Sequence, residues 1–348
     1  MRRNKKPLIY LAVFLLLFTL FIFILLRPSL QAKALNEIEN IDGIEDAKAI
    51  WYKYKPDLKE DADFSQALRN KLASFNLKQG EITEIKKWLP SKTDNLNVIV
   101  VPDLSLRIKN SDDNPDQIIR DTTLISTMLK LFEKKIRLKM DSKDRFLVDV
   151  ADPAQAQSQF RIFADSLIFD LSKHSNKSNR LYFSEQRKTK FMSNVTNMYN
   201  LAVQNTSGAD YVSYFANTLK GKLKSSTLDD NYRNILIILT DGYLEIGKDK
   251  TAISISPTTQ QLDRICNNEN IQVILPVATS DITFKNVEAY LFEVNEKKTG
   301  QACHRKGLKQ WWTAWFESMK ISNTDEDFFL MRQEALTLNQ DDLERIFK

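Results

Sequence analysis

Residues 234–242 read Asn-Ile-Leu-Ile-Ile-Leu-Thr-Asp-Gly. The aliphatic run 235–239 shows no alternation, as expected of a strand buried on both faces, and Thr240-Asp241-Gly242 closes it with turn-forming residues. Upstream, Asn97-Val-Ile-Val-Val101 repeats the pattern and ends in Pro102-Asp103. Between the two runs, Ile118, Ile119, Leu124, Met128, Leu131, Phe132 and Ile136 fit one apolar helix face, and 145–150 reads as a second strand. Phe160, Phe163, Leu167 and Leu171 suit a helix, 180–183 a strand or its approach, and 187–204 a helix. From Asp210 another helix presents Tyr211, Tyr214, Phe215 and Leu219. Downstream come a helix at 258–267, strands at 271–275 and 287–294, and a helix at 305–320. Strands alternating with helices predict an α/β, doubly wound, mostly parallel sheet of Rossmann-like type, covered on both faces.

In such sheets the working groups lie beyond the carboxyl ends of the strands. Two of those ends carry an aspartate: Pro102-Asp103-Leu-Ser105-Leu-Arg107 and Thr240-Asp241-Gly242-Tyr243. If the strands are neighbours, both carboxylates and a hydroxyl share one crevice, a donor set that suits a hard cation such as Mg²⁺. Asp also begins turns and caps helices without any ligand.

At these residues the sequence resembles the von Willebrand factor type A (vWA) family, over about residues 95–320. That family's metal-ion-dependent adhesion site uses Asp-x-Ser-x-Ser, a Thr from a middle loop, and an Asp before Gly. Asp103, Ser105, Asp241 and Gly242 match it, and 207–211 resembles the middle loop. Arg107 stands where the second serine belongs and Ala209 where the threonine belongs. The resemblance therefore implies a degenerate site, in which Arg107 takes the cation's place by pairing with Asp103 or Asp241. Thr206, Ser207 or Asp210 would have to replace the lost hydroxyl for Mg²⁺ to bind.

The N-terminus carries a different signal. From Leu8 to Leu26 every residue is apolar except Tyr10 and Thr19, preceded by Arg2, Arg3, Lys5 and Lys6. Such a helix covers roughly 28 Å, about one hydrocarbon core. The positive flank places residues 1–7 in the cytoplasm, 8–26 in the lipid bilayer as a signal-anchor, and the remainder outside. Cleavage at Ala32-Lys33-Ala34 is the competing reading, although the apolar run exceeds the usual signal-peptide core. Residues 27–92 are expected to be a helical stalk or packing layer, 93–322 the vWA-like domain, and 323–348 a C-terminal helical extension. Pro56 and the Gly80 region are expected to break the first of these into short helices.

Arg2, Arg3, Lys5, Lys6 and Arg27 account for the whole charge excess, since the other 45 basic residues match 45 acidic ones. A nucleic-acid binder concentrates positive charge on its folded part, so that class is set aside. Cys266 and Cys303 are the only cysteines; outside the cytoplasm they either pair or stay as buried thiols. His174 and His304, both in polar surroundings, are expected at the surface or in loops. Leu308, Trp311, Trp312, Trp315, Phe316 and Met319 share one helix face, which reads as core packing. Asn176, Asn194 and Asn205 begin glycosylation tripeptides, a pattern common by chance. Complete enzyme motifs are missing: no Gly-x-Ser-x-Gly elbow, Gly-x-x-x-x-Gly-Lys-Ser/Thr loop or Gly-x-Gly-x-x-Gly turn occurs.

The expectation is a membrane-anchored binding or scaffolding module. Its partner is another protein, docking over a crevice marked by Asp103, Ser105 and Asp241 and flanked by Arg107, Ala209, Asp210, Thr240 and Gly242. The rival class is a metal-assisted hydrolase using Asp103 and Asp241, for which no histidine is placed as base.

Overall fold

The computed structural model describes residues 28–109, 115–205, 209–244, 262, 266, 275–296, 302–324, 327–332 and 340–348. The expected membrane span at 8–26, loop residues 206–208, most of the helix at 258–267 and nearly all of the strand at 271–275 lie outside the described residues. Among the described residues no helix is long and apolar enough to cross a membrane.

The chain forms two compact units: one runs to Lys92 and adds Ser226–Asp229, and the other holds the remainder. The first is built of helices α1 (Leu30–Glu39), α2 (Ile44–Leu58), α3 (Ala62–Ala73) and α4 (Gln79–Lys86). Apolar residues at helical spacing give it a core of its own, in which Trp51 stacks on Phe64 and Leu68, Leu72, Trp88 and Leu228 close around them. Asp61 caps α3 by accepting from the Phe64 N–H. Pro56, expected to break a helix, lies inside the last turn of α2. Buried Arg69 donates to the carbonyls of Leu228 (2.6 Å) and Pro90 (2.5 Å), which ties the 226–229 segment into this unit.

The second unit contains β1 (Thr93–Pro102), α5 (Gln117–Leu138), β2 (Arg145–Val148), α6 (Pro153–Gln157), β3 (Ile168–Asp170) and α7 (Lys177–Gln204). A helical run α8 follows, made of Tyr211–Ser213, a wide turn Tyr214–Thr218 and Leu219–Lys222. Then come β4 (Asp230–Leu239), β5 (Val287–Val294), α9 (Ala302–Ser318), β6 (Phe329–Met331) and α10 (Gln340–Ile346). The six-stranded sheet has the order β3-β2-β1-β4-β5-β6, parallel except for β3 against β2. β1 and β4 pair over their full lengths, from Thr93↔Asp230 to Pro102↔Leu239. The α/β, mostly parallel, Rossmann-like sheet is as the alternating pattern predicts.

Four details differ. Residues 180–183 are not a strand but part of the continuous helix α7. The helix expected around 160–171 is a short turn at 161–163 followed by edge strand β3. Among its described residues, the helical extension expected at 323–348 includes a strand, β6, which joins the sheet, as well as helix α10, whose Leu343 and Ile346, with the following Phe347, enter the core. Ile119, assigned to the apolar face of α5, is 55% exposed, in its first turn.

Cys266 and Cys303 form a disulfide with Cα atoms 5.4 Å apart and a sequence separation of 37. A loop of that length corresponds to about 3–4 kcal/mol in the loop-entropy model. The unreduced, denatured protein is expected to show no titratable thiol, and reduction is expected to lower its unfolding free energy by about that amount. Two titrating thiols would contradict the bridge.

Candidate functional site: the crevice between β1 and β4

β1 leads to β2 on one side and β4 to β5 on the other, so their shared carboxyl end is the topological switch point where ligands of open α/β sheets bind. The ladder continues past the strands, with the Asp103 N–H donating to the Leu239 carbonyl at 2.8 Å. That bond sets Asp103 beside Thr240, whose hydroxyl donates to Asp103 Oδ2 at 3.1 Å. Asp103 Oδ1 accepts from the Ser105 N–H at 3.0 Å, and Asp241 Oδ1 accepts from the Tyr243 N–H at 3.1 Å. Thr240 Oγ1 in turn accepts from the Gly242 N–H. Both aspartates are thus buried turn-formers at adjacent strand ends; hydrogen bonds link Asp103, Ser105, Thr240 and Gly242, and Asp241 follows Thr240 in the same turn.

Arg107 has a different partner from the one expected. Its guanidinium lies flat on Asp121 of α5, with Nη1–Oδ2 at 2.8 Å and Nη2–Oδ1 at 2.9 Å, and reaches only the backbone carbonyl of Asp103, at 3.3 Å. Its side chain is 1% exposed, so it cannot meet a partner's carboxylate at the surface. Asp121 also accepts from the Tyr199 hydroxyl (3.0 Å) and from Gln117 Nε2 (2.8 Å). Gln117 bridges on to Glu293, which Arg120 holds in a second forked pair at 2.6 and 2.9 Å. Arg332 donates to Gln117 Oε1 at 2.7 Å. Asp121, Gln117, Arg120, Tyr199 and Glu293 were not legible as site residues. Each is an ordinary polar residue in a helix or strand, and no spacing rule links 107 to 121 or 120 to 293.

The electrostatics follow from this packing. Burial pushes the Asp121 carboxyl up, while the Arg107 charge and the Arg107 and Gln117 hydrogen bonds pull it back. Burial, and then the Asp121 charge, hold the Tyr199 hydroxyl well above its usual range, so it stays a neutral donor. Burial and the Asp103 charge do the same to Tyr211. The Tyr211 hydroxyl and Arg107 Nε are buried, with no hydrogen-bond partner among the described residues.

The middle loop enters the site only in part. Ala209 is half-buried against the core, and Asp210 caps α8 by accepting from the Ser213 N–H at 2.9 Å. His304, expected at the surface, is fully buried, with Nδ1 2.8 Å from the Tyr243 hydroxyl. It sits one residue after the bridged Cys303 and braces the turn that carries Asp241. The Trp stripe of α9 is core, and Trp312 Nε1 donates to the Gly242 carbonyl at 2.9 Å.

Of the oxygen ligands that a metal-ion-dependent adhesion site would use, Asp103, Ser105 and Asp241 are present. At the other two sequence positions of that pattern Arg107 and Ala209 offer no oxygen ligand. Both Asp103 oxygens already accept hydrogen bonds, and a dication here would meet the Arg107 charge, which interacts with Asp103. The residues present do not fit a tightly held Mg²⁺. Among the described residues no group of three or more His, Cys, Asp or Glu is placed to hold a metal ion.

Gly242 sustains the turn through its backbone. Its φ is +96°, and a Cβ there would stand 3.2 Å from Val294 Cγ1 and 3.4 Å from Leu308 Cδ1. Gly242→Ala is expected to cost about 1–3 kcal/mol of stability by urea unfolding. A loss within error would show that the turn accommodates a side chain.

Compared with known proteins, the chain matches no family model and no curated protein.

Proposed function

We propose that this chain is a membrane-anchored, vWA-like binding or scaffolding module whose switch-point crevice receives another protein without a bridging cation. The observation that carries the reading is Leu106. It is 68% exposed, between Ser105 and Arg107, on the rim of a crevice whose polar floor is already neutralised internally. An exposed leucine beside a fixed polar floor offers an apolar contact whose polar surroundings need no reordering on binding. Ile119, also exposed, lies two residues beyond Gln117 of the same network. The strand order and the Asp103–Thr240 bond support the vWA resemblance, and the Cys266–Cys303 bridge supports an oxidising compartment outside the cytoplasm.

The test places a photo-reactive residue at position 106 of the full-length chain in its native membrane. Tyr182, also 68% exposed, provides the control position. A discrete adduct is expected at 106 and not at 182, unchanged by EDTA. Equal labelling at both positions would end the crevice reading, and loss of the adduct in EDTA would overturn its metal independence.

A further inference from the structure

One strand away from the crevice, a cavity of about 250 Å³ opens beyond the carboxyl end of β2. Val150, Ala156, Phe160, Ala164 and Leu167 give it an apolar wall. Its polar end is supplied by Asp149, Thr218 and Lys222. Asp149 is fixed from behind, because its N–H donates to the Val100 carbonyl at 2.8 Å. Its Oδ2 accepts from the Tyr214 hydroxyl at 3.1 Å and lies 3.0 Å from Lys222 Nζ.

The local backbone is unusual at this point. The Leu219 N–H bonds five residues back, to the Tyr214 carbonyl, so α8 is widened by one residue there. Such wide turns concentrate at functional sites. Tyr214, Thr218 and Lys222 then recur every four residues along that helical run.

The charges at this end do not cancel. Lys222 pairs with Asp149 and Lys224 with Asp170 at 3.5 Å, while Arg145, acting on Asp170 and less on Asp149, is a third positive charge for the two carboxylates. An ammonium has three donors, and Asp149 is the one partner of Lys222 Nζ among the described residues. One negative charge on an occupant would complete the balance and use those donors. The cavity is smaller than the roughly 300–1,000 Å³ of drug-sized sites, which limits the occupant to a single ring or a short chain.

We propose that this cavity binds a small organic monocarboxylate, with its carboxylate on Lys222 Nζ and its apolar body against Phe160 and Leu167. The site does not depend on the partner-docking reading of the neighbouring crevice.

The probe is benzoate, titrated into the full-length protein in detergent and followed by calorimetry and ligand-observed NMR, with benzylamine as the charge-reversed control. Saturable benzoate binding is expected, with benzylamine weaker by about tenfold or more, a difference of about 1.4 kcal/mol. Lys222→Met is expected to weaken benzoate by a similar factor while leaving the circular dichroism unchanged. Ala164→Leu, which fills the cavity, is expected to abolish binding of both compounds. Absence of saturable benzoate binding, equal binding of benzylamine, or undiminished binding by Lys222→Met would each overturn the proposal. Because Lys222 is at the cavity's mouth, that variant decides the question even if Ala164→Leu fails to fold.

Discussion

Asp121→Ala is expected to lower the stability of the sheet unit by about 3–5 kcal/mol, because it strands the Arg107 guanidinium in the interior without a counter-charge. The pair is forked at 2.8 and 2.9 Å, and the two side chains are 1% and 0% exposed. Neither charge can turn to water when the other is removed. Arg107→Met should cost a similar amount, since it strands Asp121. The double variant Arg107→Met/Asp121→Ala should cost much less than the two singles together, because an apolar replacement removes both desolvation penalties at once. Urea unfolding of the four proteins completes the cycle. Single-variant losses below about 1 kcal/mol, or simple additivity, would mean that the two charges are solvated in the native protein. The same coupling bears on any attempt to restore metal ligands. Arg107→Ser with Ala209→Thr supplies the missing hydroxyls but leaves Asp121 unpaired, so Asp121→Asn has to accompany them.

The second large effect is expected at Trp312. Its ring is fully buried among Tyr211, Trp311, Trp315 and Phe316, and its indole N–H holds the Gly242 carbonyl. Trp312→Ala should cost about 3–5 kcal/mol, from lost transfer energy and an unfilled cavity. Trp312→Phe keeps most of the ring volume and should cost less, part of it the roughly 0.5–1.5 kcal/mol of one hydrogen bond. The residue therefore separates packing from positioning. Unfolding free energies measure the first, and crosslinking through position 106 reports whether the Asp241 turn has moved. A Phe variant as damaging as the Ala variant would show that the hydrogen bond, rather than the ring, dominates.

What could be read from the sequence follows strand length and location. β1, β4 and β5 stand out because central parallel strands are buried on both faces and so become unbroken apolar runs. β3 and β6 have three residues each, too few for any period to register, and β3 was hidden among phenylalanines that also fit a helix. Residues 180–183 misled because Leu-Tyr-Phe has strand composition, while the Asn176 cap that begins α7 is a single side chain accepting from Asn179. Asp103 and Asp241 were legible because a strand end fixes where a residue goes. Asp121 and Glu293 were not, since their importance lies in which arginine they meet, a contact made by the tertiary fold alone. His304 was misplaced for the related reason that polar neighbours in sequence do not reveal a buried tyrosine partner 61 residues away.

The segment 226–229 also gives the chain a mechanical property. Lys92 and Asp229 are joined by a backbone hydrogen bond of 2.8 Å, and the residues that follow them, Thr93 and Asp230, begin β1 and β4. The chain passes between the two units at 92–93, 225–226 and 229–230, and the first and last of these links lead directly into two adjacent parallel strands. With both strands drawn the same way, the β1–β4 seam is not sheared, and the load falls on the β1–β2 and β4–β5 seams to either side. The seam spared is the one whose far end carries Asp103, Thr240 and Asp241, so a load entering at residues 93 and 230 would reach those three residues last.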